Sequence, residues 1–241
     1  MADKLEGKRA LVTGASRGIG RGIALSLAEA GADVAIGYRR EKEKAESTVG
    51  EIEALGRKAV ALAADVRDYP AVKAMVEGAR DALGGLDVVV ANAGVPSRFQ
   101  PLHEVEVGYW QRVTGIDLDG VFHTLHAALP ILREQKSGVI LSISSIGADL
   151  CAAGGAPYTA SKAAVNALTR VVARENAGVG VRANVIAPGL VETDIATGML
   201  EVHGERLRNI VPLGRIGQPR DIGQLAVYLA SDAAEWITGK V

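Results

Sequence analysis

Two side chains able to exchange a proton stand four residues apart in Tyr158-Thr159-Ala160-Ser161-Lys162. The stretch 157–177 reads as a helix, so this spacing puts the phenol and the ammonium on one face. A free phenol loses its proton only near pH 10, and an adjacent ammonium favours the phenolate. The pair can act as an acid–base group. Taken as spacing alone, it is also that of an ordinary surface pair. A second feature is Thr13-Gly14-Ala15-Ser16-Arg17-Gly18-Ile19-Gly20, set between a strand and a helix. Glycines there let the turn tighten and let backbone N–H groups approach a pyrophosphate at the helix N-terminus. The spacing is G-x-x-x-G-x-G rather than G-x-G-x-x-G, and it contains no Walker lysine.

The elements that must position these residues alternate regularly. Arg9–Thr13 reads as a strand, and 18–30 as a helix with Ile19, Ile23 and Leu27 on its apolar face. Further strands are expected near 33–37, 58–63, 86–90, 139–143 and 181–186. Helices are expected over 41–55, 71–83, within about 104–134, and over 157–177. Continuous apolar runs such as Val88-Val89-Val90 suit a parallel sheet covered on both faces. The expectation is an α/β fold: a doubly wound, Rossmann-type parallel sheet with helices on both faces, three layers αβα, in one domain over 1–241. Two stretches, 144–157 and 189–219, break the rhythm. Long irregular loops are often functional, and ligands of such sheets sit beyond the strands' carboxyl ends.

Composition narrows the function classes. Of 241 residues, 48% are hydrophobic and 23% charged, close to globular averages and far from disorder. The 29 glycines and 8 prolines follow no collagen period. With 27 basic and 28 acidic residues, no field is available to gather nucleic acid or anionic lipid. One cysteine forms neither an internal disulfide nor a thiolate zinc cage. No run approaches the ~18 apolar residues of a membrane span. A cytoplasmic protein without nucleic-acid, membrane or metal partners is expected. His123 and His126 lack a third ligand by spacing, and Cys151 reads as a structural thiol.

Four motifs in chain order carry a resemblance: the glycine turn, Asn92-Ala93-Gly94 after the fourth strand, Tyr158 to Lys162, and Asn184-Val185-Ile186-Ala187-Pro188-Gly189 after the sixth. Over nearly its whole length the chain resembles the short-chain dehydrogenase/reductase family. That resemblance implies hydride transfer between a nicotinamide cofactor and a carbonyl or alcohol. Tyr158 would be the general acid in reduction, and Lys162 its modulator and an anchor of the nicotinamide ribose. The family's serine lies thirteen residues before the tyrosine, which gives Ser145, with Ser142 and Ser144 as competitors. Asp117 stands where the family usually has Asn, a residue that shapes a helix kink and a water chain. Retained activity with an altered pH profile is the expectation, because a carboxylate accepts but does not donate hydrogen bonds.

The resemblance also assigns a cofactor site. Gly14, Ala15, Ser16, Arg17, Gly18, Ile19 and Gly20 would form the phosphate turn, and Asp65 and Val66 would line the adenine. Asn92, Ala93 and Gly94 would flank the adjacent ribose, while Pro188, Gly189, Val191 and Thr193 would border the cofactor. The end of the second strand, Gly37-Tyr38-Arg39-Arg40, lacks the acid that accepts the ribose hydroxyls of NAD. Arg39 or Arg40, aided by Arg17, would instead meet a 2′-phosphate, which favours NADP(H).

The pattern, including Pro212-Leu213-Gly214-Arg215 and Gln218-Pro219, is most similar to 3-oxoacyl-(acyl-carrier-protein) reductases of fatty acid biosynthesis. A 3-oxoacyl thioester of acyl carrier protein or coenzyme A is the implied substrate. The alternatives are an NAD(P)-dependent secondary-alcohol or sugar/polyol dehydrogenase, and an inactive nucleotide-binding regulatory protein. The family implies a homotetramer packed through its long central helices. Residues 189–219 are a candidate substrate lid with Gly198, Gly204 and Gly214 as pivots. Residues 236–241 resemble the start of the family's last strand, so that strand is expected to be cut short at 241.

Overall fold

Successive residues of a strand face opposite sides of a sheet, and here both sides are apolar. In β1 (Arg9–Thr13), Ala10 and Val12 join one core while Leu11 joins the other. In β2 (Asp33–Tyr38), Val34 and Ile36 part from Ala35 in the same way. The computed structural model describes residues 4–194, 205–206 and 208–241. Among them β3 (Ala59–Ala63), β4 (Val88–Ala91), β5 (Gly138–Ile143) and β6 (Val181–Ile186) complete a parallel sheet in the order β3-β2-β1-β4-β5-β6.

Helices α1 (Gly18–Glu29), α2 (Lys42–Ala54) and α8 (Pro219–Ala230) cover the face that holds Val12 and Leu141. Helices α3 (Tyr69–Leu83), α5 (Gly120–Gln135) and α7 (Ala156–Asn176) cover the face that holds Leu11 and Ile140. This is the three-layer, doubly wound arrangement expected. The strand order reverses between β1 and β4, which opens a crevice at their carboxyl ends. There the Thr13 hydroxyl accepts the N–H groups of Asn92 and Ala93, at 3.0 and 3.1 Å.

Three departures from expectation bear on function. The single helix expected within 104–134 is α4 (Val107–Thr114), a π-helical turn over Gly115–Asp119, and then α5. Its backbone stays in the right-handed helical region from Thr114 through Gly120, so the apolar period runs on and hides the extra residue. Within 144–157 the chain makes the short helix α6 (Gly147–Leu150).

The third departure is α8, which the expected elements leave out, although Gly223, Ala226, Val227 and Ala230 fall at helical spacing and Gln218 and Asp221 form a reciprocal capping box at its start. Much of its buried face is small, with Gly223 and Ala226 among the residues. Small residues let it cross α1 closely: a Cβ on Gly22 would lie 2.5 Å from Pro219 Cβ.

The segment after β6 is tied at both described ends. Gly217 donates to the Leu190 carbonyl at 3.0 Å, and Glu192 donates to the Gly217 carbonyl at 2.8 Å. Of the three proposed pivots, Gly214 has a left-handed φ of 67°, while Gly198 and Gly204 lie outside the described residues. Residues 239–240 run beside β6: Gly239 donates to Ala183, and Val185 donates to Lys240, each at 2.8 Å.

Candidate active site

The crevice between β1 and β4 is built for close backbone approach. Gly14 and Gly18 take left-handed φ values of 64° and 57°. A Cβ on Gly14 would lie 2.9 Å from the Ala93 Cα, and one on Gly20 would meet the Gly14 carbonyl and the Asn92 amide. Asn92 Nδ2 donates to the carbonyls of Thr13 and Gly14, at 2.8 and 3.2 Å, which fixes the turn from across the crevice. Helix α1 begins directly after this turn with no side-chain cap. Its first N–H groups and positive dipole end are thereby left for an anion. The residues present fit a dinucleotide pyrophosphate.

The expected adenine and phosphate residues gather around the same mouth. Arg39, exposed just beyond β2, lies 3.9 Å from Asp65. Arg67 grips Asp65 through two hydrogen bonds of 3.0 and 2.6 Å, and this pair holds the Asp65 carboxyl down to about 2. Arg40 is exposed and has no acidic partner among the described residues. Arg17 reaches Asp194 at 3.7 Å, as does Lys44 of α2. Ser16, Arg17, Lys44, Thr193 and Asp194 help to line a cavity of about 370 Å³ beside the turn. Sequence reasoning missed Lys44 because it lies in a charged run, Glu41-Lys42-Glu43-Lys44, that reads as a solvated helix face.

The candidate acid–base residues converge between β5 and α7. Ser145 follows β5, and its Oγ accepts the Gly147 N–H at 3.0 Å. Its own proton has no protein acceptor among the described residues, so it is free to be donated. The two competing serines are committed elsewhere. Ser144 donates to the Lys162 carbonyl, and Ser142 accepts from Thr169. Gly147 sits between Ser145 and Tyr158: a Cβ there would be 3.3 Å from Ser145 Oγ and 3.6 Å from Tyr158 Cε1. Both hydroxyl-bearing side chains therefore border one small space.

Lys162, one helical turn after Tyr158, is buried, with its ammonium 5.6 Å from the centre of the Tyr158 ring. It donates to the Ile143 carbonyl at 3.1 Å and pairs with Asp117 at 3.1 Å. The π-helical turn aims Asp117 inward, where it is fully buried and also accepts the Val95 N–H at 3.1 Å. Burial pushes the Asp117 carboxyl above the usual range, while Lys162 and the Val95 N–H pull it back. Gly94 makes room for the pair, since a Cβ there would lie 2.8 Å from Asp117 Oδ1.

Other residues singled out by sequence lie away from this group. His126 shares a 2.8 Å hydrogen bond with Tyr69, and His123 one of 2.8 Å with the Val66 carbonyl. Cys151 is exposed at the end of α6, with a left-handed φ of 48°. Pro188 accepts the Ile146 N–H at 3.1 Å, Val191 bridges to Gly217, and the Thr193 side chain packs near Gly18. These contacts bring the segment after β6 against both the glycine turn and the Ser145 loop.

The chain is similar over most of its length to known oxidoreductases. Residues 14–241 match the family described as Enoyl-(Acyl carrier protein) reductase. The 3-oxoacyl-(acyl-carrier-protein) reductase FabG of Staphylococcus aureus is 43% identical over 233 residues, covering 97% of this chain and 94% of that one. A short chain dehydrogenase from Burkholderia cenocepacia, solved in complex with NADP, superposes with a TM-score of 0.91 at 36% identity, covering 98% of this chain and 96% of that one. A dehydrogenase/reductase from Sinorhizobium meliloti gives a TM-score of 0.91 at 37% identity, covering 98% and 92%. On fold, motif order and likeness together, the chain belongs to the short-chain dehydrogenase/reductase family.

Proposed function

We propose that this chain is an NADP(H)-dependent reductase that converts a ketone to a secondary alcohol, with a 3-oxoacyl thioester as its substrate class. The observation that carries the reading is the meeting of Ser145, Tyr158 and Lys162 at the carboxyl end of β5, beside the glycine crevice. Residues 14–20, Asp65, Asn92 and Thr193 would hold the dinucleotide, whose reduced nicotinamide would supply a hydride to the carbonyl carbon. The Ser145 hydroxyl donates a hydrogen bond to the carbonyl oxygen as negative charge grows on it. The Tyr158 hydroxyl gives that oxygen its proton, and Lys162 beside it steadies the charge left on the phenolate. Arg17, Arg39 and Arg40 supply the guanidinium groups that favour a 2′-phosphate.

The substrate class rests on the mouth of the site. Ile146 and Leu150 are exposed beside Ser145, and Phe99, exposed as well, packs its backbone against Gly154. An apolar rim suits an acyl chain better than a polyol, and the 43% identical relative is named for a 3-oxoacyl thioester. Residues 189–219 serve in this reading as the substrate lid. The second chemistry to weigh is reduction of an enoyl double bond, which the matched family's description names. Likeness to a 3-oxoacyl-(acyl-carrier-protein) reductase over 97% of the chain favours carbonyl reduction.

The test is an NADPH-oxidation screen with 3-oxoacyl thioesters, enoyl thioesters, simple ketones and ketosugars. The 3-oxoacyl thioesters should give the highest kcat/KM, and preference for any other class overturns the substrate assignment. Tyr158→Phe should abolish turnover while keeping NADPH binding. A wild-type chain that binds NADPH but reduces nothing would instead be a binding module.

Assembly with further copies of this chain is part of the same reading. Val107 and Trp110 on α4, Phe122 on α5 and Val171 on α7 present apolar surface on neighbouring helices. A homotetramer built on these faces should be visible by light scattering, and should dissociate in Phe122→Glu.

A further inference from the structure

Lys162 does not face Tyr158 as an unmatched cation. Its ammonium is 3.1 Å from the fully buried Asp117 carboxylate, and Lys162 is the charged group that acts on that carboxylate. Between two charges out of water, screening is weak and the attraction is strong. Two of the three ammonium hydrogens are spoken for, by Asp117 and the Ile143 carbonyl. Where an Asn carries the π-helical turn, the same lysine has a neutral neighbour and the site holds one more positive charge.

The surroundings leave this pair to set the local charge. From α6 the group facing Tyr158 is Gly147, and the acid of that helix, Asp149, is exposed. The π-helical turn's other acid, Asp119, is exposed, as is Arg112 of α4. After β4 the chain offers the Val95 amide and Gly94, and after β5 the Ser145 hydroxyl and the Ile143 carbonyl.

We infer that Asp117 is a positioning residue that cancels much of the field Lys162 casts on Tyr158, and so extends to higher pH the range over which the phenol can donate its proton. A hydroxyl beside a matched ammonium keeps its proton to higher pH than one beside an unmatched ammonium. Reduction needs the protonated phenol, and oxidation of the alcohol needs the phenolate. The effect follows from one carboxylate that touches neither substrate nor reacting atom. The inference rests on the catalytic reading above.

The experiment compares wild type with Asp117→Asn in both directions across pH. It uses acetoacetyl-coenzyme A with NADPH, and 3-hydroxybutyryl-coenzyme A with NADP. In the variant, the alkaline fall of reduction and the rise of oxidation should both move down by about one pH unit. Asp117→Ser, smaller but equally uncharged, should move both limbs the same way. In the free protein, phenolate absorbance should appear at lower pH in Asp117→Asn than in wild type, with the matching Tyr158→Phe proteins as blanks. Superimposable profiles, or limbs that move upward, overturn the inference. Absence of turnover in the wild type with every carbonyl would instead overturn the catalytic reading, while the absorbance comparison would still decide the role of Asp117.

Discussion

Asn92 secures the glycine turn from across the crevice, because one amide nitrogen donates to the carbonyl of Gly14 at 3.2 Å and to that of Thr13 at 2.8 Å. The turn thus depends on β4, the neighbour of β1 at the point where the strand order reverses. Asn92→Ala removes both bonds while leaving the glycines in place. With about 1 kcal/mol net for each hydrogen bond, NADPH affinity should fall roughly tenfold or more. Fluorescence titration measures this directly, and an unchanged Kd would show that the turn holds itself.

Gly147 is the spacer between the two hydroxyl groups. A β-branched side chain there must displace Ser145 Oγ or the Tyr158 ring, since its Cβ alone would already touch both. Gly147→Val should lower kcat by about a hundredfold, the scale of a 1 Å misplacement, with cofactor affinity nearly unchanged. Equal losses in both would show that the substitution spreads to the crevice.

Stability should carry the signature of the Asp117 carboxyl. Burial raises its folded value above that of the unfolded chain. Its contribution to stability is then fully present below the unfolded carboxyl range and is lost as pH rises through the folded value. Asn does not titrate. The Tm of Asp117→Asn minus that of wild type should therefore grow as pH rises above the ordinary carboxylate range. A constant difference would mean that ionisation of Asp117 carries no linkage to folding.

Cofactor choice should answer to the arginines beyond β2. Arg39→Ala and Arg40→Ala should each raise the KM for NADPH about tenfold, the loss of one charge-assisted hydrogen bond, while that for NADH stays level. Steady-state kinetics with both cofactors decides the point, and equal effects on the two would mean that neither arginine meets a 2′-phosphate.

Much of this was legible in the residues. Continuous apolar strands such as Val88–Val90 announced a buried parallel sheet, and the glycine spacing fell at the first strand–helix junction, where the sheet reverses. The family's spacing pointed to Ser145, and its two competitors, Ser142 and Ser144, have side-chain partners on α7. What sequence hid was local. A π-helical turn keeps helical dihedrals, so the apolar period around Asp117 does not report the widened turn, and only the helix kink implied by the family resemblance pointed to it. The pairing of Asp117 with Lys162 joins residues 45 positions apart, and only the folded chain brings them to 3.1 Å. Helix α8 was legible, both in the spacing of Ile222, Ala226, Val227 and Leu229 and in the capping box at Gln218, although the expected elements stopped short of it.

The widened turn at Gly115–Asp119 also constrains how this chain can change in length. An α-helix advances about 100° per residue, so removing one residue there to restore a regular helix would rotate everything on one side of the deletion against the other. Either Tyr109 and Val113 would leave their buried positions in α4, or Val121 and Leu125 would leave theirs in α5. A one-codon deletion in this stretch should be among the least tolerated in the gene, while point substitutions at its exposed positions pass freely. The register of a whole helix is the guardian of a single carboxylate.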